Sequence, residues 1–455
     1  MAKNIHEIRD PIHVFVRLDS HERQVLDSRP FQRLRHIHQL ALSHLVYPGC
    51  THRRFEHSLG VMELAGRVFD VITQQDAITD EIKQQLPQIS CTDALAYWKR
   101  VLRMAALCHD IGHLPFSHTS EDLLPAGWTH EILTAEIIKS AEMQDIWQNM
   151  TPPLRAEDIV KLAIGPKKAA KVGVKAFSDW EAILAEIIVG DAFGVDRMDY
   201  LLRDSYHAGV TYGKFDHYRL IDTLRILTPP PVKKTERMEA EGRSADDSKE
   251  VMLGIEVGGL HSAESLLLAR YFMFMQVYCH PVRRIYDIHL RDFLKEWLPH
   301  STFSTDIEQH LAMTDIEVMH ALRGACCDEA IAGHKHAKLI LHRKHFKVLY
   351  ARNPDDTQKN PDAVATIHTA VSERFGEANV RIDTYTQSGG APEFPVLEND
   401  GRIVSSLAES QPLRNLPVVA TGYVFINRDC REKAKVWLEG NRDDILAKQE
   451  GEEEG

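Results

Sequence analysis

With 455 residues the chain is long enough for two or three domains of ordinary size, or for one helical body with an appendage. Hydrophobic residues make up 44% and charged residues 26%, the balance of a globular protein with a large core. Its 66 acidic side chains against 54 basic ones leave a net charge of −12, which excludes a basic nucleic-acid coat over the whole chain but not a local basic patch.

The N-terminal stretch MAKNIHEIRD has no apolar signal core. Asp10-Pro11 marks a turn, and HVFVRL alternates like a short strand. Leu59, Met62, Leu64, Val68 and Phe69 then recur at helical spacing. The same period predicts helices over 97–108, 131–143, 179–189 and 262–298, with Gly112, Pro115, Pro125, Gly127 and Pro152-Pro153 between them. Residues 229–250 are Pro-rich and then charged, and are expected to be a loop. The stretch 353–363 is a shorter one. Strand signals follow in LILHRKHFKVLYA, the segment VMLGIEV at 251–257, NVRIDTY and VVATGYVFI, with Asn399-Asp400-Gly401 as a hairpin turn. The expected fold is mostly α: a helical core over 1–300 and a smaller C-terminal α+β part over 301–455 that ends in the acidic tail EGEEEG.

Seven cysteines, at 50, 91, 108, 279, 326, 327 and 430, form no CxxC pair. Buried free thiols are expected, without a zinc-thiolate site or a disulfide framework. No run of 18 apolar residues occurs, so the expected setting is soluble and cytoplasmic, with no membrane partner.

Chemistry concentrates in ALCHDIGHLPFSH, residues 106–118. An imidazole and a carboxylate side by side at the end of an apolar helix need partners if they are buried. His113 and His118 follow closely, His57 sits in RRFEHSLGV, and Asp196 sits in FGVDRMDYLLRD. His57, His109, Asp110 and Asp196 together make a mixed ligand set that suits a divalent Mn, Mg, Fe, Zn or Ni ion. Helix caps and surface polar groups explain any one of them, but not the set with its flanking sequence.

These motifs resemble those of the HD-domain phosphohydrolases. Within that group the chain is similar to the SAM-and-HD-domain dNTP triphosphohydrolases and their bacterial relatives. The runs RPFQRLRHIHQL, VYPGCTHRRFEHSLGVMELAG, CHDIGHLPFSH, WTHE and GVDRMDYLLRDSYHAG carry the resemblance over about 5–215, and it resumes over 262–290. No SAM domain is expected ahead of the core. The resemblance implies that His57, His109, Asp110 and Asp196 hold the metal and that His113, His118 and His130 are active-site histidines. His118 is the expected acid for the leaving 5′ oxygen, and Glu121 would orient it from one helix turn away. Arg54 matches the phosphate-binding arginine. Arg197 stands in place of a lysine. Tyr200 and Asp204 follow Asp196 on one helical face and match contacts to the triphosphate and the 3′ hydroxyl. Arg270 is a charge in an apolar helix and matches a phosphate contact. Tyr278 matches the residue against the ribose 2′ carbon. Gln39 and Leu40 match the nucleoside strip, after which Ala41-Leu42 replaces the family's glycine pair.

The resemblance also places a guanine nucleotide or dNTP activator at Asp27, Gln32 and Arg35, with Arg219 in a second activator site. His6 stands where a lysine is expected. A homo-oligomer, dimer or tetramer, is implied. Nucleic acid as a partner is left open. Three functions are compatible with these residues. The first is a metal-dependent dNTP triphosphohydrolase releasing a deoxynucleoside and triphosphate. The second is another HD phosphohydrolase: a nucleotide phosphatase, phosphodiesterase or nuclease. The third is a non-catalytic nucleotide sensor or scaffold, which has no need of an intact ligand set.

Overall fold

Helices carry most of the chain because apolar residues recur at helical spacing through its first three hundred positions. A computed structural model of the protein describes residues 5–174, 176–229, 251–387 and 389–447, with the side chain of His118 outside them. The expected loop is therefore described only at residue 229, and the acidic tail lies outside the described residues.

The chain opens with an antiparallel hairpin, Ile5–Asp10 against Val14–Asp19, closed at Asp10 and Val14. Asp19 then caps the helix Ser20–Asp27, in a capping box with Glu22. The helix Arg54–Ile72 is central. It buries Leu59, Met62, Leu64 and Val68 and packs against the helices Thr92–Cys108 and Val195–Ala208. Each such side chain contributes about 1.5–3 kcal/mol when removed from water. Close approach of two of these helices needs Gly60: a Cβ there would lie 1.9 Å from the Asp199 carboxylate.

Two predicted helices are interrupted. The 131–143 span is two helices, His130–Ile138 and Ala141–Gln148, because Ser140 turns extended between them. The 262–298 span is Leu260–Met273, a π-helical turn Phe274–Tyr278, and Pro281–Trp297. Pro281 has no N–H to continue a helix but fits a first turn, where the His280 ring accepts the Val282 N–H. The strand expected over LILHRKHFKVLYA begins late: its first three residues end the helix His334–Leu341, and only Lys347–Ala351 is strand. The expected loop at 353–363 holds the short helix Pro354–Lys359, capped by Asn353.

Two small sheets follow. In the first, the strands Leu224–Leu227, Met252–Glu256, Pro395–Leu397 and Ile403–Ser405 lie in that order, the last pair closed by the Asn399-Asp400-Gly401 turn. In the second, Ala420–Ile426 lies between Lys347–Ala351 and Val380–Thr386. Helices Ala363–Phe375 and Arg431–Ala447 cover it around Val364, Ile367, Val371 and Leu438. The molecule is mostly α, and among the described residues the strands are confined to the N-terminal hairpin and these two sheets. All seven cysteines are free. No described helix is long and apolar enough to cross a membrane.

Candidate active site

The helix Arg54–Ile72 brings His57 into its buried face, and the helix Thr92–Cys108 ends directly at His109-Asp110. The helix Val195–Ala208 delivers Asp196 from its first turn. His57 Nε2 lies 3.6 Å from the Asp110 carboxylate and 3.1 Å from that of Asp196. His109 Nε2 lies 3.4 and 3.5 Å from the same two groups.

The remaining ring nitrogens decide what these atoms are. His57 Nδ1 donates to Asp199 at 2.8 Å, and His109 Nδ1 donates to the carbonyl of Ala106 at 2.8 Å. A neutral ring so bonded turns a lone pair on Nε2 to the centre. Both Nε2 atoms are buried without a hydrogen-bond partner. Two orphaned imidazole nitrogens facing two carboxylates suit a divalent metal ion; among the described residues His57, His109 and Asp110 lie close enough together to share one, with Asp196 on the histidine side of the group. Burial opposes charge on His57, but Asp196 and Asp199 outweigh it and raise its pKa to about 10. A cation compensates the same carboxylates and leaves Nε2 as a ligand. Burial would raise the Asp110 carboxyl, yet Arg54, His109 and His113 hold it well below the usual carboxylate range.

The loop after Asp110 is strained and firmly held. Phe116 and Ser117 have φ of 55° and 56°. Asp315 accepts the Phe116 N–H at 2.7 Å, and Arg33 donates to the His113 carbonyl at 2.9 Å. His113 Nε2 lies 3.3 Å from Asp110, and its ring stacks on His130 at 4.1 Å. Burial and the Arg54 charge push the His113 pKa well down. His130 meets Glu121 through Nδ1, and its Nε2 lies 3.1 Å from Glu131. Glu131 also pairs with Lys168. The backbone of His118 opens a short helix that ends at Glu121, while its side chain lies outside the described residues.

Two cavities meet at this centre. The first, about 480 Å³, is lined by Gln39, Leu40, Arg54, Tyr200, Asp204 and Tyr278 among others. The second, about 660 Å³, includes Lys167, Lys168 and Arg197. Asp110, His130, Lys168, Asp196 and Tyr200 line both. Asp204 accepts from the Tyr278 hydroxyl at 2.7 Å and pairs with His52 at 2.8 Å. Arg54 donates to Ser117 at 2.8 Å and pairs with Asp110. Arg197 and Arg270 each bury an Nε–H without a partner. Burial, and after it the neighbouring Arg197 charge, lower the Arg270 pKa. Ala41 has φ 46°, so an alanine occupies the left-handed conformation that a glycine adopts without strain.

The residues expected at the two activator sites lie on the N-terminal helices and on a helix near residue 219. Asp27 takes a bond from Arg23, which also meets His6. Arg35 bonds Gln32 and lies over the Phe55 ring. Arg219 is on the helix His217–Asp222, bonded to the carbonyl of Gly258, and no hydrogen bond or ion pair joins it to Asp27, Gln32 or Arg35 among the described residues.

Sequence reasoning passed over Asp199, His13, His52, Glu131 and Lys168. Asp199 was visible as a carboxylate with Arg203 four residues on, a helical pair inside the Asp196 motif. Glu131 was visible as the neighbour of His130. His13 and His52 carried no local signal, because their partners lie 186 and 152 residues away.

The "HD domain" model matches residues 54–203, and the "HD associated region" model matches 245–384. An uncharacterized protein of Methanocaldococcus jannaschii is 34% identical over 316 residues, covering 70% of this chain and 54% of that protein. Deoxynucleoside triphosphate triphosphohydrolase SAMHD1 of Bos taurus is 32% identical over 308 residues, covering 63% of this chain and 47% of its own. The chain spans about half the length of these curated relatives. A solved structure of a hypothetical protein from Aquifex aeolicus matches with a TM-score of 0.74 at 32% identity, over 95% of this chain and all of that one.

Proposed function

The chain belongs to the HD-domain family of metal-dependent phosphohydrolases, and from that premise we propose that it hydrolyses deoxynucleoside triphosphates to a deoxynucleoside and inorganic triphosphate. The observation that carries this reading is the pair of buried, unpartnered guanidinium Nε–H groups of Arg197, which lines the second cavity, and of Arg270, which lies near Arg197 and Tyr200. A polyphosphate satisfies both. The named activity of the SAMHD1 relatives supports the same substrate class.

His57, His109, Asp110 and Asp196 would hold the cation. When bound, it neutralises phosphoryl charge and makes a water more acidic. The nucleoside occupies the chamber of Gln39, Leu40, Asp204 and Tyr278. Arg197 and Lys168 draw the phosphates toward the second cavity, and Arg270 meets them near Tyr200, where the two cavities join. The oxygen of water bonds to the α-phosphorus, and the bond from that phosphorus to O5′ breaks. The deoxynucleoside leaves with a proton on O5′, and the three phosphates leave together. His118 is the proposed donor of that proton. Glu121, His130 and Glu131 form a contiguous chain through which a proton passes. Arg54 and His113 hold Asp110 in place.

An activator at Asp27, Gln32 and Arg35, a homo-oligomer and a cytoplasmic setting belong to the same proposal. The test is incubation with the four dNTPs, singly and in mixtures, after metal removal and after adding Mn or Mg. Turnover that needs metal supports the reading. No turnover of any dNTP with either metal contradicts it.

A further inference from the structure

The second sheet does not stand apart from the first cavity. Within its strand Val380–Thr386, Asp383 and Tyr385 point to the same side. Asp383 receives two bonds from Arg284, at 2.8 and 2.6 Å. On the adjacent strand, Tyr423 donates its hydroxyl to the Cys279 carbonyl at 3.1 Å. Arg284 and Cys279 flank the break after the π-helical turn, so these bonds fasten the sheet to the turn that carries Phe274 and Tyr278.

Tyr385 reaches further in. Its ring stacks on Phe274 at 5.7 Å and 25°, and it lines the cavity with Tyr200, Asp204 and Tyr278. Arg270 packs on the same Phe274 ring, with its guanidinium carbon 5.6 Å from the ring centre. The Tyr385 hydroxyl makes no hydrogen bond among the described residues. A half-buried phenol that spends its ring on a stack and leaves its hydroxyl in a cavity beside an unsatisfied guanidinium is placed to meet a ligand.

We propose that Tyr385 is a substrate-binding residue supplied by the C-terminal part of the chain, its hydroxyl donating to the polyphosphate that Arg270 holds. The substrate site is then incomplete without the second sheet. Burial raises the phenol pKa and Arg270 only partly offsets this, so the group stays a donor at neutral pH. The proposal rests on the nucleotide reading above for the identity of the ligand.

The experiment titrates inorganic tripolyphosphate into the metal-loaded full-length protein by calorimetry, in wild type and in Tyr385→Phe. Phenylalanine keeps the stack on Phe274 and removes only the hydroxyl. The expected result is about a tenfold weaker affinity for tripolyphosphate, the scale of one hydrogen bond to a charged group. Affinity for a deoxynucleoside should stay unchanged, and KM for dNTP should rise while kcat holds. Equal tripolyphosphate affinity in the two proteins overturns the proposal, as does a wild type that does not bind tripolyphosphate. If no dNTP is hydrolysed but Tyr385→Phe still weakens tripolyphosphate binding, the substrate reading fails and the role of Tyr385 stands.

Discussion

Asp199 lies 2.8 Å behind His57 Nδ1, on the side of the ring away from the metal centre. The same buried carboxylate takes His13 Nε2 at 2.6 Å and two bonds from Arg203, itself tied to Asp10 at 2.8 Å. Asp199 is thus the hinge between the N-terminal hairpin and the ligand set. It fixes the tautomer that turns the His57 lone pair inward.

Asp199→Asn should weaken metal binding about 10- to 100-fold, the usual effect of losing a carboxylate behind a ligand histidine. Competition with a chelator measures it. A folded variant with wild-type metal affinity would show that Asp199 is only a structural ion-pair partner.

Asp110→Ala and Asp196→Ala should abolish hydrolysis and leave a folded protein. Each removes charge and a ligand atom from the centre together. Thermal melting checks the fold and a turnover assay checks the loss. Undiminished turnover in a metal-replete Asp110→Ala protein would remove it from the ligand set.

Tyr278 lines the cavity proposed for the nucleoside while its hydroxyl is engaged by Asp204. Tyr278→Ala should therefore open space beside the sugar and raise kcat/KM on ribonucleotides relative to deoxyribonucleotides. A ribose hydroxyl buried against the ring without a partner costs roughly 1–3 kcal/mol. Asp204→Ala should weaken both sugars alike. A dNTP-to-NTP ratio that does not move in Tyr278→Ala would exclude a steric gate.

Glu186 gives a pH dependence with a definite sign. Burial raises its carboxyl to about 7, despite a bond from the Leu253 N–H at 3.0 Å that favours the ionised form. The unfolded chain loses this proton first, near pH 4.5. Stability therefore falls as pH rises from about 4.5 to about 7 and is flat above, by on the order of 1–3 kcal/mol. Glu186→Gln keeps an acceptor for Leu253 and should melt higher than wild type at pH 8 but not at pH 4. Parallel melting curves for the two proteins across that range would contradict it.

The grouping of His57, His109, Asp110 and Asp196 was legible because the four sit in short, distinctive runs at the ends or starts of periodic helices. The helical class was legible for the same reason. Interruptions inside helices were not, since Ser140 and the π-helical turn at Phe274–Tyr278 leave the apolar spacing nearly intact. LILHRKHFKVLYA misled because branched residues at 339–341 finish a helix before the strand begins. Contacts across the fold were invisible: neither Asp199 with His13 nor Phe274 with Tyr385 has any trace in local pattern.

The most direct test of the account is the identity of the products. Metal-loaded protein is incubated with a dNTP it turns over, and the mixture is resolved by ion-exchange chromatography. Cleavage between the α-phosphorus and O5′, at the junction of the two cavities, predicts deoxynucleoside and intact inorganic triphosphate in equal amounts. Deoxynucleoside monophosphate with pyrophosphate, or diphosphate with orthophosphate, would place the broken bond elsewhere in the triphosphate and contradict the account.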